Sequence, residues 1–212
     1  MKIINHVMTA VLFLLLANSA WADEKAEQWV KDVKKNYESL KNVSADFTQT
    51  FHWKLTGEVQ QVKGKIYARE GNQFKIETAD QLIVTDGKTL WTLNKANNQV
   101  VIDWAENAAD ENPFIHKFLE KFTQNYDAQM DVNSTEGALV SLLLTSKNEE
   151  QFVPFMRLSI DPKSKFIQKI EQTDINENVT TFEMQGIDTS ISLSAQDFKF
   201  SAPENADIID MR

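Results

Sequence analysis

The sequence predicts a mainly β fold of the α+β class, with an antiparallel meander that curls into a barrel or sandwich. Three observations carry this. The stretch Lys63 to Trp91, KGKIYAREGNQFKIETADQLIVTDGKTLW, divides into three short strands, with Glu70-Gly71-Asn72 and Asp86-Gly87 as its turns. Asp-Gly is among the strongest short-range hairpin signals. Further candidate strands recur about every 8–12 residues with turn residues between them, the rhythm of a meander. Finally, no helix-length segment separates these strands, which argues against a parallel α/β sheet.

The first residues set the compartment. Lys2, the apolar run Val11-Leu12-Phe13-Leu14-Leu15-Leu16-Ala17 and the small-x-small site Ala20-Trp21-Ala22 form a secretory signal peptide over 1–22. The apolar run is too short to span a bilayer. The remaining 23–212 read as a single domain, since no repeat or long linker divides them. There is no cysteine, so disulfides, thiolate nucleophiles and cysteine metal sites are excluded. The net charge of −9, from 22 basic and 31 acidic residues, becomes one unit more acidic once Lys2 leaves with the signal. Nucleic acids and anionic membrane surfaces reward Lys/Arg patches, so neither is an expected partner.

In chain order, Trp29, Val33, Tyr37 and Leu40 mark one face of a first helix. From Val43 the period becomes two. Val43, Ala45, Phe47, Gln49, Phe51 and Trp53 share one side of a long strand; Ser44, Asp46, Thr48, Thr50, His52 and Lys54 share the other. Three aromatics on one face either fill a core or line a ligand cavity, and periodicity leaves both readings open. Strands are expected near 58–69, 73–79, 81–86, 89–95 and 99–104. Asn112-Pro113 then opens a second helix, with an Asn cap and Pro at its first position. Its stripe of Phe114, Ile115, Phe118, Leu119 and Phe122 docks on the sheet or serves as a lid over an apolar opening. Strands are expected again near 138–146, 152–160, 165–174, 178–187 and 190–200, the last with Phe198 and Phe200 on one side.

Catalytic chemistry is missing. An enzyme needs a positioned acid, base, nucleophile or metal. Beyond the signal the only histidines are His52 and His116, neither in an HxH or HExxH context, and no phosphate loop or GxSxG elbow occurs. No cofactor or metal site is expected. What the chain does have is apolar capacity, 13 phenylalanines among it, suited to acyl chains at about 0.8 kcal/mol per buried CH₂.

Several segments in order carry a family resemblance: Val43-Ser-Ala-Asp-Phe-Thr-Gln-Thr, Gly64-Lys-Ile-Tyr-Ala-Arg69, Phe74-Lys-Ile, Val84-Thr-Asp-Gly-Lys-Thr-Leu-Trp91, Asn112-Pro113-Phe114 and Phe198-Lys-Phe-Ser-Ala-Pro203. Together they resemble the outer-membrane lipoprotein carrier (LolA) family over nearly the whole mature chain. The resemblance implies an incomplete, unclosed antiparallel β-barrel with helices forming a lid over an apolar cavity. It implies a monomeric periplasmic carrier, not an enzyme, that takes acylated lipoproteins from an inner-membrane lipoprotein-releasing ABC transporter to the outer membrane. Acyl chains would lie against Phe47, Phe51, Phe74, Ile76, Trp91, Phe114 and Phe118. Arg69 resembles the arginine that latches the lid in such carriers; a guanidinium offers five donors to lid carbonyls and stays charged. Two departures stand out. The usual Arg-Pro is Arg69-Glu70 here, and Phe-x-Trp is Phe74-Lys75-Ile76, which leaves Lys75 as an alternative latch. Variants of this kind resemble carriers from bacteria without the usual outer-membrane receptor, so that partner stays open. A periplasmic lipid or glycolipid carrier, or a lipoprotein-sensing module of the same fold, are the alternative functions.

Overall fold

The computed structural model describes residues 24–107, 124–132 and 137–212. The expected signal peptide and the second helix, with Phe114 and Phe118, lie outside the described residues. A helix α1 (24–38) precedes β1 (Asn42–His52), β2 (Val59–Arg69), β3 (Gln73–Thr78), β4 (Gln81–Thr85), β5 (Thr89–Asn94) and β6 (Gln99–Trp104). Then come β7 (Tyr126–Met130), β8 (Val140–Ser146), β9 (Phe155–Ile160), β10 (Ile167–Thr173), β11 (Val179–Asp188) and β12 (Asp207–Asp210). No helix among the described residues is long and apolar enough to cross a membrane.

All strands form one 12-stranded, unclosed sheet in the order β12-β6-β5-β4-β3-β2-β1-β11-β10-β9-β8-β7. β1 is the axis. On one side of it the chain runs out through β2 to β6 as a plain meander; on the other it runs inward from β7 to β11, which pairs antiparallel with β1. The turns are built as their residues require. Asp86 Oδ1 accepts from the N–H groups of Lys88 and Thr89, both at 2.9 Å, and Thr85 Oγ1 accepts from Gly87 N–H at 3.0 Å. Gly87 has φ +94° and packs so closely on the Gly71 carbonyl that a side chain there would collide with it. The two turns singled out by the sequence therefore touch. Gln73 Nε2 ties them further by donating to the Asp86 carbonyl at 3.1 Å.

Cross-strand register sorts the side chains onto two faces, because directly paired residues point the same way. The inner face bears α1. Ala26, Trp29, Val30, Val33 and Tyr37 of α1 pack on Tyr126, Leu142, Leu144, Met156, Leu158, Ile160, Ile167, Ile170 and Phe182 of β7–β11. A register shift between Ile167 and Lys169 keeps Ile167 on this inner face. Leu40 falls beyond the end of the helix.

One expectation is corrected, and two strands are added to those expected. Residues 190–200 do not form a strand. Ser194 caps a 3-10 helix, Ala195–Phe198, in a reciprocal capping box with Asp197, and Phe198 is fully buried. The polar serine-rich alternation imitated a strand; the Ser-x-x-Asp cap decided otherwise. The sheet instead ends in β12, which pairs parallel to β6 and so breaks the purely antiparallel pattern. β7 was also unexpected, as five residues of mixed polarity at the sheet edge give no clear alternation.

Candidate functional site

The inner face of β1–β6 carries a second apolar cluster. Ala45, Phe47, Ile66, Phe74 and Ile76 are buried in it, and Ala68, Ile83, Leu90, Met184 and Ile187 pack around them half-buried. Its geometry follows from two cross-strand rows, Ala45–Ile66–Ile76–Ile83 and Val43–Ala68–Phe74–Thr85–Leu90. Between them and β11, Phe47 pairs with Gly64 on one side and Met184 on the other. A Cβ on Gly64 would stand 2.7 Å from the Phe47 ring and 2.5 Å from the Glu77 carbonyl. Glycine is required there because the Phe47 ring and the β3 backbone approach it too closely for any side chain.

Of the expected acyl-binding residues, the fold brings Phe47, Phe74 and Ile76 together in this cluster. Phe51 is further along the same face of β1, half-buried and stacked on Trp53 with centroids 5.9 Å apart. Trp91 does not join them. It pairs with Val84 and Ile102, whereas its neighbours Leu90 and Thr92 belong to the inner rows. The Asp-Gly turn starts β5 so that Thr89, Trp91 and Leu93 point outward. On that outer face Trp91 stacks on Phe200, with centroids 5.9 Å apart and planes at 15°. Val84, Leu93, Val100 and Phe198 are buried there. The residues that sequence reasoning missed are Ile66, Ala68, Ile83, Leu90 and Met184. Gly64-x-Ile66-x-Ala68 did signal one face of β2, but which face turned inward was set by β1.

Neither latch candidate shares the inner face. Arg69 pairs with Asn42 and Gln73 at the end of β2, and its guanidinium donates to Gln73 Oε1 at 2.8 Å. Lys75 pairs with Tyr67 and holds its ammonium 4.6 Å from the centre of that ring. It also faces Asp197, whose carboxyl is held below the ordinary carboxylate range chiefly by hydrogen bonds from Ser194, with a smaller contribution from Lys75. Arg69 has the better position. It borders a cavity of about 110 Å³ with Tyr37 and Leu40 from the end of the helical segment and Val43, Ala68 and Phe74 from the strands. Tyr37 seals the helix side. Its hydroxyl accepts from Ile167 N–H at 3.3 Å, its ring meets Phe166 edge-on at 5.6 Å, and burial pushes its pKa up to about 12. Among the described residues no group of three or more His, Asp or Glu side chains could hold a metal ion.

Comparison with known proteins bears on the family and the fold. Over its full length the chain is 25% identical to the outer-membrane lipoprotein carrier protein of Glaesserella parasuis, covering 98% of that protein. It is 27% identical to the one from Pasteurella multocida, with 96% of this chain and 95% of that one covered. Among solved structures, an uncharacterised conserved protein from Thermus thermophilus superposes with a TM-score of 0.59 at 16% identity, covering 88% of this chain and 99% of that one. MucB superposes with a TM-score of 0.53 at 16% identity, over 84% of this chain and 64% of MucB. These two likenesses concern the fold. The family model described as outer membrane lipoprotein carrier protein LolA matches residues 38–201, and the chain belongs to that family.

Proposed function

We propose that this protein is a periplasmic carrier that shelters the acyl chains of lipoproteins against the inner face of β1–β6. In this reading cargo comes from an inner-membrane ABC transporter and goes to the outer membrane. The observation that carries the reading is the apolar cluster of Phe47, Ile66, Phe74 and Ile76 beside a half-sheet that α1 already fills. Each methylene placed there contributes about 0.8 kcal/mol, as it does in a bilayer, so the carrier competes by sheltering most of a chain's methylenes. Phe51 extends the apolar face, and Arg69, on the cavity rim beside Tyr37 and Leu40, is the residue assigned to the latch. Lys75 is engaged elsewhere, over Tyr67.

The test uses processed protein purified after export, offered acylated and non-acylated forms of one peptide and followed by native mass spectrometry. Only the acylated peptide should bind. Phe51→Ser, half-buried and tolerant of change, should weaken that binding about tenfold, the loss expected for about 1.4 kcal/mol of apolar contact. Arg69→Leu should retain cargo longer than wild type does. Equal binding of both peptides, or no binding of either, sinks the carrier reading; preference for free phospholipid or glycolipid would redirect it to another amphiphile.

A further inference from the structure

One end of the sheet has no part in the cavity. There β1, β8 and β10 finish and β2, β9 and β11 begin, and three neighbouring connections each push a large apolar side chain into solvent. Leu55 in the β1–β2 turn is 96% exposed, Ile175 in the β10–β11 turn 60%, and Phe152 in the β8–β9 connection 58%. The connections are adjacent because β2, β1, β11, β10, β9 and β8 are consecutive in the sheet. They are also fastened to one another. Ile175 N–H donates to the Phe152 carbonyl at 3.0 Å, and Lys54 N–H donates to Asn178 Oδ1 at 3.1 Å. Just below, a cross-strand row runs Phe155–Thr173–Val179–His52–Val59, and its two end members, Phe155 and Val59, are exposed as well. A single exposed apolar residue is ordinary; five on one rim mark an interaction surface.

Shape and charge choose the partner. Each tip is exposed in its own turn and flanked in sequence by polar residues such as Thr56, Gln151 and Asn176. Separate projections cannot form the continuous packed centre of a protein interface, but they can enter a soft apolar medium one by one. The same loops carry Glu58, Glu149, Glu150, Asp174 and Glu177 against Lys54 and Lys147. That acidic excess opposes an anionic surface and tolerates a neutral one. We infer that these three turns form a seat on a zwitterionic phospholipid interface, with Leu55, Phe152 and Ile175 dipping below the headgroups. The inference rests on the carrier reading, because a carrier of acyl chains must bring them to a bilayer. The acyl-facing side of β1 leads to this rim, where Phe51 stacks on Trp53 two residues before Leu55.

The experiment is vesicle flotation of the processed protein, with phosphatidylcholine–phosphatidylethanolamine vesicles and with the same vesicles enriched in phosphatidylglycerol. Wild type should float with the zwitterionic vesicles and less with the anionic ones. The triple variant Leu55→Ser/Phe152→Ser/Ile175→Ser should lose at least about tenfold in binding. Its residues are exposed, so its unfolding midpoint should stay unchanged. Leu55→Trp should bind more tightly. No flotation on either vesicle, stronger flotation on the anionic one, or equal flotation of the triple variant would overturn the inference. So would a concentration-dependent dimer of wild type, abolished by the triple substitution, in place of vesicle binding. Uptake of acylated peptide without vesicles, measured in parallel, separates the two readings: its absence fails the carrier, while flotation alone judges the rim.

Discussion

The two halves of the sheet obtain their stability from opposite faces. In β7–β11 the inner face is filled: α1 lays Ala26 and Val33 on Leu142, Leu158 and Ile160. The outer face of that half is polar, with Arg157 bonded at 2.7 Å both to Asp131 and to Glu171. In β3–β6 the closure is outside. The 3-10 helix packs against β3 with Phe198 fully buried, Val84, Leu93 and Val100 are buried on the outward-facing side of β4–β6, and Phe200 stacks on Trp91. A half-sheet anchored from behind can devote its inner face to a ligand without dissolving its own core. This is a physical reason for the closing Phe-x-Phe-Ser-Ala-Pro segment to be part of the family resemblance although it lies away from the inner face of β1–β6.

The sharpest way to break this comparison is to empty each core in turn. Phe198→Ala removes the plug of the outer face and should cost about 3–5 kcal/mol in urea unfolding, as Leu158→Ala should cost about 2–5 kcal/mol in the helix-filled half. The two should differ in function. Below its unfolding transition, Phe198→Ala should still take up acylated peptide with near wild-type affinity, because the inner face is untouched. An unchanged unfolding midpoint for Phe198→Ala would show that the outer closure does not hold β3–β6.

A smaller effect tests the inner face itself. Gly64→Ala would place a methyl 2.5 Å from the Glu77 carbonyl and 2.7 Å from the Phe47 ring, and should cost about 1–3 kcal/mol. Adding Phe47→Leu should recover only part of that loss, since the backbone oxygen cannot move aside as a ring can. Full recovery, seen in the same urea titration, would mean that the strands separate easily at this point and that only the aromatic ring enforces the glycine.

These residues also show what the sequence made legible and what it did not. Period two along β1, the Asp86-Gly87 turn and the stripe of α1 are local signals, and each gave its element. Phe47, Phe74 and Ile76 fall in one cluster because the meander's register follows from its short turns. Trp91 was misplaced for a complementary reason. Alternation tells which residues share a side but not which side faces in, and that depends on partners far along the chain such as Phe200. β12 escaped because a four-residue strand parallel to β6 is specified by neither period nor turn. The 3-10 helix at Ala195–Phe198 was readable in principle, since Ser194 and Asp197 have capping-box spacing.

The smallest predicted effect lies at the seam between the halves, at Tyr37. Its side chain closes the end of α1 against Phe166 and Ile167 and also lines the cavity beside Phe74. Burial raises the phenol to about 12, opposed in part by the Ile167 hydrogen bond. Its reference value is 10.0, so over that interval the unfolded chain gives up the proton while the folded one keeps it. Stability fully present below the unfolded value is therefore lost as pH rises toward the folded one. At about 1.4 kcal/mol per pH unit the loss is at most about 2–3 kcal/mol, an upper bound because Tyr37 is only half-buried. Tyr126, raised by burial as well and donating to the Val153 carbonyl at 2.7 Å, adds a loss of the same sign from within the helix-filled half. Urea midpoints for Tyr37→Phe and wild type should then diverge as pH rises through this window, with the variant losing less and Tyr126 keeping its slope from vanishing. Parallel curves would mean that the Tyr37 phenol already meets water, and the seam is open. If acyl chains enter along that seam, loading with acylated peptide should shift the divergence, whereas cargo held only deeper along Phe47 and Phe51 should leave it in place.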